Sequence, residues 1–280
     1  MELSGKARLA GVMGWPIAHS RSPRLHGFWL QRHGIDGAYL PLAVAPEDLE
    51  ASFALLPRIG FRGFNLTAPH KERALALVTE VSPLARRIGA VNTVVRREDG
   101  SLLGDNTDAY GFMASLKQQV PGWRADRGPA VVLGAGGAAR AVIAALLDAG
   151  CPQIRLCNRT LARARALAET MGAAVSVEPW SARDACLDGA ALLVNTTTQG
   201  MQGEPPLELD LSALPTDAVV NDIVYVPLET PLLHAARTRG HSVADGLGML
   251  LHQARPGFER WFGTDPQVDD DLRRHVLASM

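Results

Sequence analysis

The sequence predicts a two-domain α/β chain, a mixed-sheet domain followed by a doubly wound parallel one, and three observations carry that prediction. Its 280 residues exceed what one hydrophobic core usually serves. Short β-rich runs alternate with segments of helical periodicity almost throughout. A glycine-rich turn at 134–139 directly follows an apolar run and opens an alanine-rich helix.

Strands at Arg8–Met13, Ala38–Val44 and Gly63–Thr67 alternate with helical patterns at Pro23–His33, Glu47–Leu56 and Lys71–Val78, which implies a parallel or mixed sheet. Asn92–Arg97 and Ser101–Gly104 flank Glu98-Asp99-Gly100, a hairpin signal that adds antiparallel strands. Thr107 or Asp108 can cap a helix to about Val120, which Pro121-Gly122 ends. Ala130–Leu133 has the unbroken apolar character of a strand buried on both faces. The helix Ala138–Ala149 closes at Gly150, and Ile154–Cys157 completes a βαβ unit. Strands at Ala173–Val177, Ala190–Asn195 and Ala218–Ile223 extend it into a doubly wound sheet, and helices at Gly246–Phe262 and Val268–Leu277 follow.

Composition narrows the ligands. A net charge of −1 leaves no broad basic face for nucleic acid or an anionic membrane, so neither is expected as a partner and a small molecule is. Cys151, Cys157 and Cys186 are odd in number and lack metal-ligand spacing, which predicts neither a disulfide scaffold nor a metal site. No signal peptide or membrane-length apolar run is present, so a cytoplasmic location is expected. Oligomeric state is left open, a homodimer being one option.

The turn Gly134-Ala135-Gly136-Gly137-Ala138-Ala139 stands where a dinucleotide fingerprint must stand, between a strand and the helix it feeds. Gly134 permits the tight turn, Gly136 lets the backbone approach a pyrophosphate, and Ala139 is small where helix meets strand. The helix N-terminus offers free N–H groups to phosphate. This is a Rossmann domain by its local context. At the end of the next strand, where NAD enzymes place an acid for the ribose hydroxyl, the chain reads Asn158-Arg159-Thr160, with Arg163 a turn later. A guanidinium there can clamp a 2′-phosphate that a carboxylate would repel, so NADP(H) is favoured over NAD.

Three segments at strand ends in the first domain concentrate small polar groups: His19-Ser-Arg-Ser-Pro23, Asn65-Leu-Thr-Ala-Pro-His-Lys71 and Gly104-Asp-Asn-Thr-Asp108. Ser20, Ser22, Thr67, Asn92 and Asn106 offer hydroxyls and amides to a hydroxylated or carboxylated substrate. Taken singly each has a plainer explanation: Ser22-Pro23 as a helix cap and first helical residue, Asp108 as a cap, Thr67–Pro69 as a turn, Lys71 as an exposed helix charge.

As an ordered set these segments resemble the shikimate dehydrogenase family over essentially the whole chain. The resemblance rests on Gly14–Pro23, Asn65–Lys71, Gly89–Thr93, Gly104–Asp108, the glycine turn, Asn158–Thr160, Asn195–Thr198, Asp222–Pro227 and Gly246–Ala254. It implies reversible reduction of 3-dehydroshikimate by NADPH, a step of aromatic amino acid biosynthesis, with Lys71 and Asp108 as the catalytic pair. It further implies Ser20 and Ser22 at the substrate carboxylate, and Thr67, Asn92, Tyr225 and Gln253 around the ring. To the cofactor residues read from the fingerprint it adds Thr196, Ile223, Gly246 and Met249. The domains implied are 1–107, completed by 246–280, for substrate, and 108–245 for NADP. His70, Leu247 and Trp15 depart from residues frequent in the family, Phe and Arg at the first two positions and a small or polar residue at the third. Rival readings are a quinate/shikimate dehydrogenase, which often uses NAD, a catalytically silent metabolite sensor, and a reductase related to methylenetetrahydrofolate dehydrogenase. Asn158-Arg159 speaks against the first, retention of Lys71 and Asp108 against the second, and the Ser20/Ser22 loop against the third.

Overall fold

A computed structural model describes residues 3–278. The chain divides into two compact units, Met1–Thr107 with Gln253–Met280, and Asp108–His252.

In the first unit β1 (Arg8–Gly14), α1 (Ser22–Arg32), β2 (Gly37–Ala43), α2 (Leu49–Leu55), β3 (Phe61–Leu66), β4 (Glu80–Val81), α3 (Pro83–Ile88), β5 (Thr93–Arg96) and β6 (Leu102–Asp105) follow one another. The strands form one sheet in the order β2-β1-β3-β5-β6-β4. β1 is parallel to β2 and β3, whereas β5 is antiparallel to β3 and β6, and β5 and β6 are joined as the hairpin that Asp99-Gly100 signals. The sheet is therefore mixed, and Leu66, Thr93 and Asp105 come to the same end of it.

Leu25, His26, Trp29 and Leu30 recur at helical spacing and bury one face of α1. With Tyr39, Phe258 and Trp261 they make an aromatic layer on one side of the sheet. Trp261 Nε1 donates to the Val94 carbonyl at 3.0 Å. A Cβ on Gly63 would collide with that same indole nitrogen and carbonyl, so glycine is what lets the indole reach the strand. Leu49, Phe53, Phe64, Leu66, Val91 and Val94 pack the other core.

The helix expected over 71–78 is only a 3-10 turn, Arg73–Ala76. Thr79 competes with helix continuation: its N–H donates to the Leu102 carbonyl at 2.9 Å and its hydroxyl accepts from Leu102 N–H at 3.1 Å, drawing the chain into β4 beside β6. The sequence reading also passed over α3, although Ser82 caps it through the Ala85 N–H and Pro83 opens it.

The second unit comprises α4 (Asp108–Gln119), β7 (Ala130–Leu133), α5 (Gly137–Asp148), β8 (Ile154–Asn158), α6 (Leu161–Met171), β9 (Val175–Pro179), β10 (Leu192–Asn195), β11 (Val219–Asp222), α7 (Pro231–Thr238), β12 (Ser242–Ala244) and the first turns of α8 (Gly246–Phe262). Its six strands are all parallel, in the order β12-β11-β10-β7-β8-β9. This is the doubly wound dinucleotide-binding order, reversing direction between β7 and β10. Every residue of β7 is buried, as its unbroken apolar run requires.

The expected boundary at Gly246 falls instead at Gln253. Close packing explains the difference. A Cβ on Gly248 would strike the Ser115 and Gln119 side chains of α4, and His252 Nε2 lies 2.8 Å from Gln118 Oε1, so the start of α8 is held to the second unit. The remainder of α8 and α9 (Asp270–Leu277) belong to the first unit, where the Arg24 side chain donates to the His275 carbonyl.

Candidate active site

At the shared end of β3, β5 and β6, the first unit holds a continuous buried polar network. The Tyr39 hydroxyl donates to Asn65 Oδ1 at 2.6 Å. Asn65 Nδ2 in turn donates to the Asn92 carbonyl and to Thr93 Oγ1, both at 3.0 Å. Asn92 Oδ1 accepts from Thr107 N–H at 2.8 Å and from the hydroxyls of Thr93 and Thr107. Burial pushes the Tyr39 phenol well above its ordinary range. Such a network defines a rigid position for Asn92 and brings the chain into Asp108 at the start of α4.

The Thr67–Lys71 loop lies beside it. Thr67 N–H donates to the Met13 carbonyl, and the Lys71 carbonyl accepts from Val91 N–H at 2.8 Å. His70 is fully buried with Nε2 2.8 Å from the Val44 carbonyl, so the loop is anchored on both sides of the Lys71 side chain. Lys71 is half-buried and outside any helix, which removes its reading as an exposed helix charge. The cap of α1 is Arg21, with Ser22 already helical, so Ser22 is not a cap. Ser20 Oγ approaches Ser22 N–H at 3.4 Å, and the Asn106 side chain donates to the Ala90 carbonyl. Tyr39, Asn65, Thr93 and Thr107 were missed as site residues. Their signal was available in part: Asn65 and Thr93 are polar residues paired across two strands, Asn65↔Thr93, at inward positions.

Of the departures from family habit, Leu247 is fully buried core and His70 an internal anchor, whereas Trp15 is 52% exposed. Tyr225 lies in the second unit and Gln253 in the first.

In the second unit the glycine turn is gripped from two strands. Gly134 N–H donates to the Cys157 carbonyl at 2.8 Å, and Thr196 donates through both N–H and hydroxyl to the Leu133 carbonyl. Gly134 has φ +102°, and a Cβ there would lie 2.8 Å from Thr196 Oγ1. Around Gly136 and Gly137, by contrast, a Cβ would meet nothing within 4 Å. Gly137 is the first residue of α5, and buried Ala135 and half-buried Ala138 flank these two glycines. Asn158 Nδ2 donates to the Thr160 carbonyl, while Arg159 and Arg163 are exposed and have no ion-pair partner among the described residues. A free N-terminal turn and two uncommitted guanidinium groups fit a phosphorylated dinucleotide. Gly246 sits against Ile223: a Cβ there would overlap the Ile223 carbonyl. Met249 follows on the half-buried face of α8.

These two units define the class, a dinucleotide-dependent oxidoreductase with a second unit for a small polar substrate. Family profiles match in three places: a shikimate dehydrogenase substrate binding domain over residues 12–94, shikimate/quinate 5-dehydrogenase over 116–201, and a shikimate 5′-dehydrogenase C-terminal domain over 246–273. The chain is 64% identical over 276 residues to a shikimate dehydrogenase (NADP(+)) of Paramagnetospirillum magneticum, covering 99% of this chain and 100% of that one. Its structure is similar to shikimate 5-dehydrogenase from Thermus thermophilus in complex with NADP(H) and shikimate, with TM-score 0.87, 40% identity and 98% and 100% of the two chains covered. Quinate dehydrogenase from Corynebacterium glutamicum in complex with NAD is similar at TM-score 0.90 and 33% identity, with 97% and 99% covered. The chain belongs to the shikimate dehydrogenase family.

Proposed function

We propose that the chain interconverts 3-dehydroshikimate and shikimate with NADP(H), as a step of aromatic amino acid biosynthesis. The observation that carries this reading is end-to-end similarity to shikimate dehydrogenases in a chain that keeps Lys71, Asp108 and the polar network beside them. When bound, NADPH would supply a hydride to the ring carbonyl carbon, leaving negative charge on the carbonyl oxygen. The Lys71/Asp108 pair stabilises that charge and delivers the proton completing the hydroxyl, and in the reverse direction takes it back. Asp108 is the carboxylate that orients Lys71. Ser20 and Ser22 hold the substrate carboxylate, and Thr67, Asn92, Tyr225 and Gln253 hold the ring. Gly134 to Ala138 cradle the pyrophosphate, and Asn158, Arg159, Thr160 and Arg163 the adenosine 2′-phosphate. Thr196, Ile223, Gly246 and Met249 hold the other end of the dinucleotide.

The fold alone does not separate shikimate from quinate chemistry, since both kinds of relative share it. The arginines at the ribose position favour NADP(H). Three buried, unpaired cysteines support a reducing cytoplasm, and no helix among the described residues is long and apolar enough to cross a membrane. A homodimer with no nucleic-acid partner completes the reading. Lys71→Ala tests the mechanism: kcat should fall by roughly two to four powers of ten, with NADP+ affinity measured by fluorescence titration within about twofold of the parent. Turnover within tenfold of the parent would remove Lys71 from its role.

A further inference from the structure

The proposed cofactor groups Thr196 and Ile223 stand on two different loops, after β10 and after β11, and one buried carboxylate joins the two. Asp222 is fully buried. Its Oδ1 accepts from Asn195 Nδ2 at 3.0 Å and from Val224 N–H at 3.0 Å, and its Oδ2 accepts from Thr230 Oγ1 at 2.7 Å. Asn195 carries the link onward: its Oδ1 accepts from Thr197 N–H and hydroxyl, and its Nδ2 also donates to the Gln199 carbonyl. Thr230 caps α7 through the Leu233 N–H. Ile223 N–H donates to the Asn195 carbonyl at 3.1 Å.

A carboxylate in this position is expensive, because burial penalises its charge and no cation among the described residues pairs with it. An apolar side chain would fill the space at lower cost but would free both loops. We propose that Asp222 is a positioning residue that locks the loops after β10 and β11 into one surface for the nicotinamide half of the cofactor. In a doubly wound sheet the dinucleotide lies across the switch point, one half on each set of strands. Asp222 therefore acts on the β10–β11 side, and its own hydrogen bonds reach neither the Gly134 turn nor Arg159. This inference rests on the NADP(H) reading above.

Two probes separate the halves. 2′,5′-ADP carries the adenosine and its phosphates without nicotinamide, whereas NADP+ carries both. Asp222→Ala, confirmed as folded by circular dichroism, should bind NADP+ about tenfold more weakly, the effect of losing roughly one charge-assisted hydrogen bond. Its affinity for 2′,5′-ADP should stay within about twofold of the parent. Asp222→Asn keeps an Oδ1 acceptor for Asn195 and Val224 and should recover most of the loss; it also carries the test if the alanine variant does not fold, with NADP+ alone weakened by about threefold. Equal weakening of both probes would show a merely structural role, and unchanged NADP+ affinity would show no role; either overturns the proposal. Failure of the parent to bind 2′,5′-ADP would instead strike the cofactor reading itself.

Discussion

His26 shows how a single titratable side chain can be built into an apolar layer. It lies fully buried, stacked on Tyr39 with ring centroids 3.8 Å apart, and neither ring nitrogen has a hydrogen-bond partner. Burial lowers its pKa from 6.5 to about 3. The unfolded chain thus binds a proton below pH 6.5 that the folded chain refuses, so stability is full above that pH and is lost as pH falls toward 3. The loss is roughly 1.4 kcal/mol per pH unit at most. His26→Phe keeps the stack without the proton site. Its unfolding midpoint should therefore gain on the parent at pH 5 far more than at pH 8, and a parallel offset at both would contradict the assignment. On the cofactor side, Arg159→Ala should raise KM for NADP+ roughly 10- to 100-fold, the range for hydrogen bonds to a charged group, and leave KM for NAD nearly unchanged. Equal effects on both cofactors would take the 2′-phosphate away from Arg159.

Among the elements, the glycine turn makes the most separable demand. Gly134→Ala forces a side chain into φ +102° and toward Thr196, at a cost of about 1–3 kcal/mol. Gly137→Ala adds a methyl to the first turn of α5, where nothing lies within 4 Å and alanine is the better helix former by about 1 kcal/mol. The first variant should melt earlier than the parent; the second should keep or raise the midpoint while binding NADP+ more weakly. Equal midpoints would contradict the geometry. The same turn was the most legible feature of the sequence, because glycine spacing, the apolar run before it and the alanines after it point to one structure. The hairpin around Asp99-Gly100 and the helix Gly246–Phe262 were legible for the same reason. What stayed hidden depended on distant partners. The 71–78 segment has helical composition, yet Thr79 pairs with Leu102, and no local pattern announces that contact. Of the proposed site residues, Lys71, Asp108 and Asn92 are visible inside motifs, whereas Tyr39 in the buried polar network reads only as a good strand residue until Asn65 is seen opposite it.

Across the whole molecule, a parallel sheet with the dinucleotide-binding strand order and a mixed sheet with a buried polar network divide the labour: one unit suited to a phosphorylated dinucleotide, one to a small hydroxylated acid. The fold is shared with quinate dehydrogenase, so substrate and cofactor choice must come from side chains, not architecture. The most direct measurement follows NADPH absorbance in the purified protein with shikimate or quinate, each crossed with NADP+ or NAD. The account predicts rapid reduction of NADP+ with shikimate and much slower rates in the other three combinations. Comparable turnover of quinate, or of NAD, would contradict the specificity argued from Arg159, and no turnover in any combination would contradict the enzyme reading altogether.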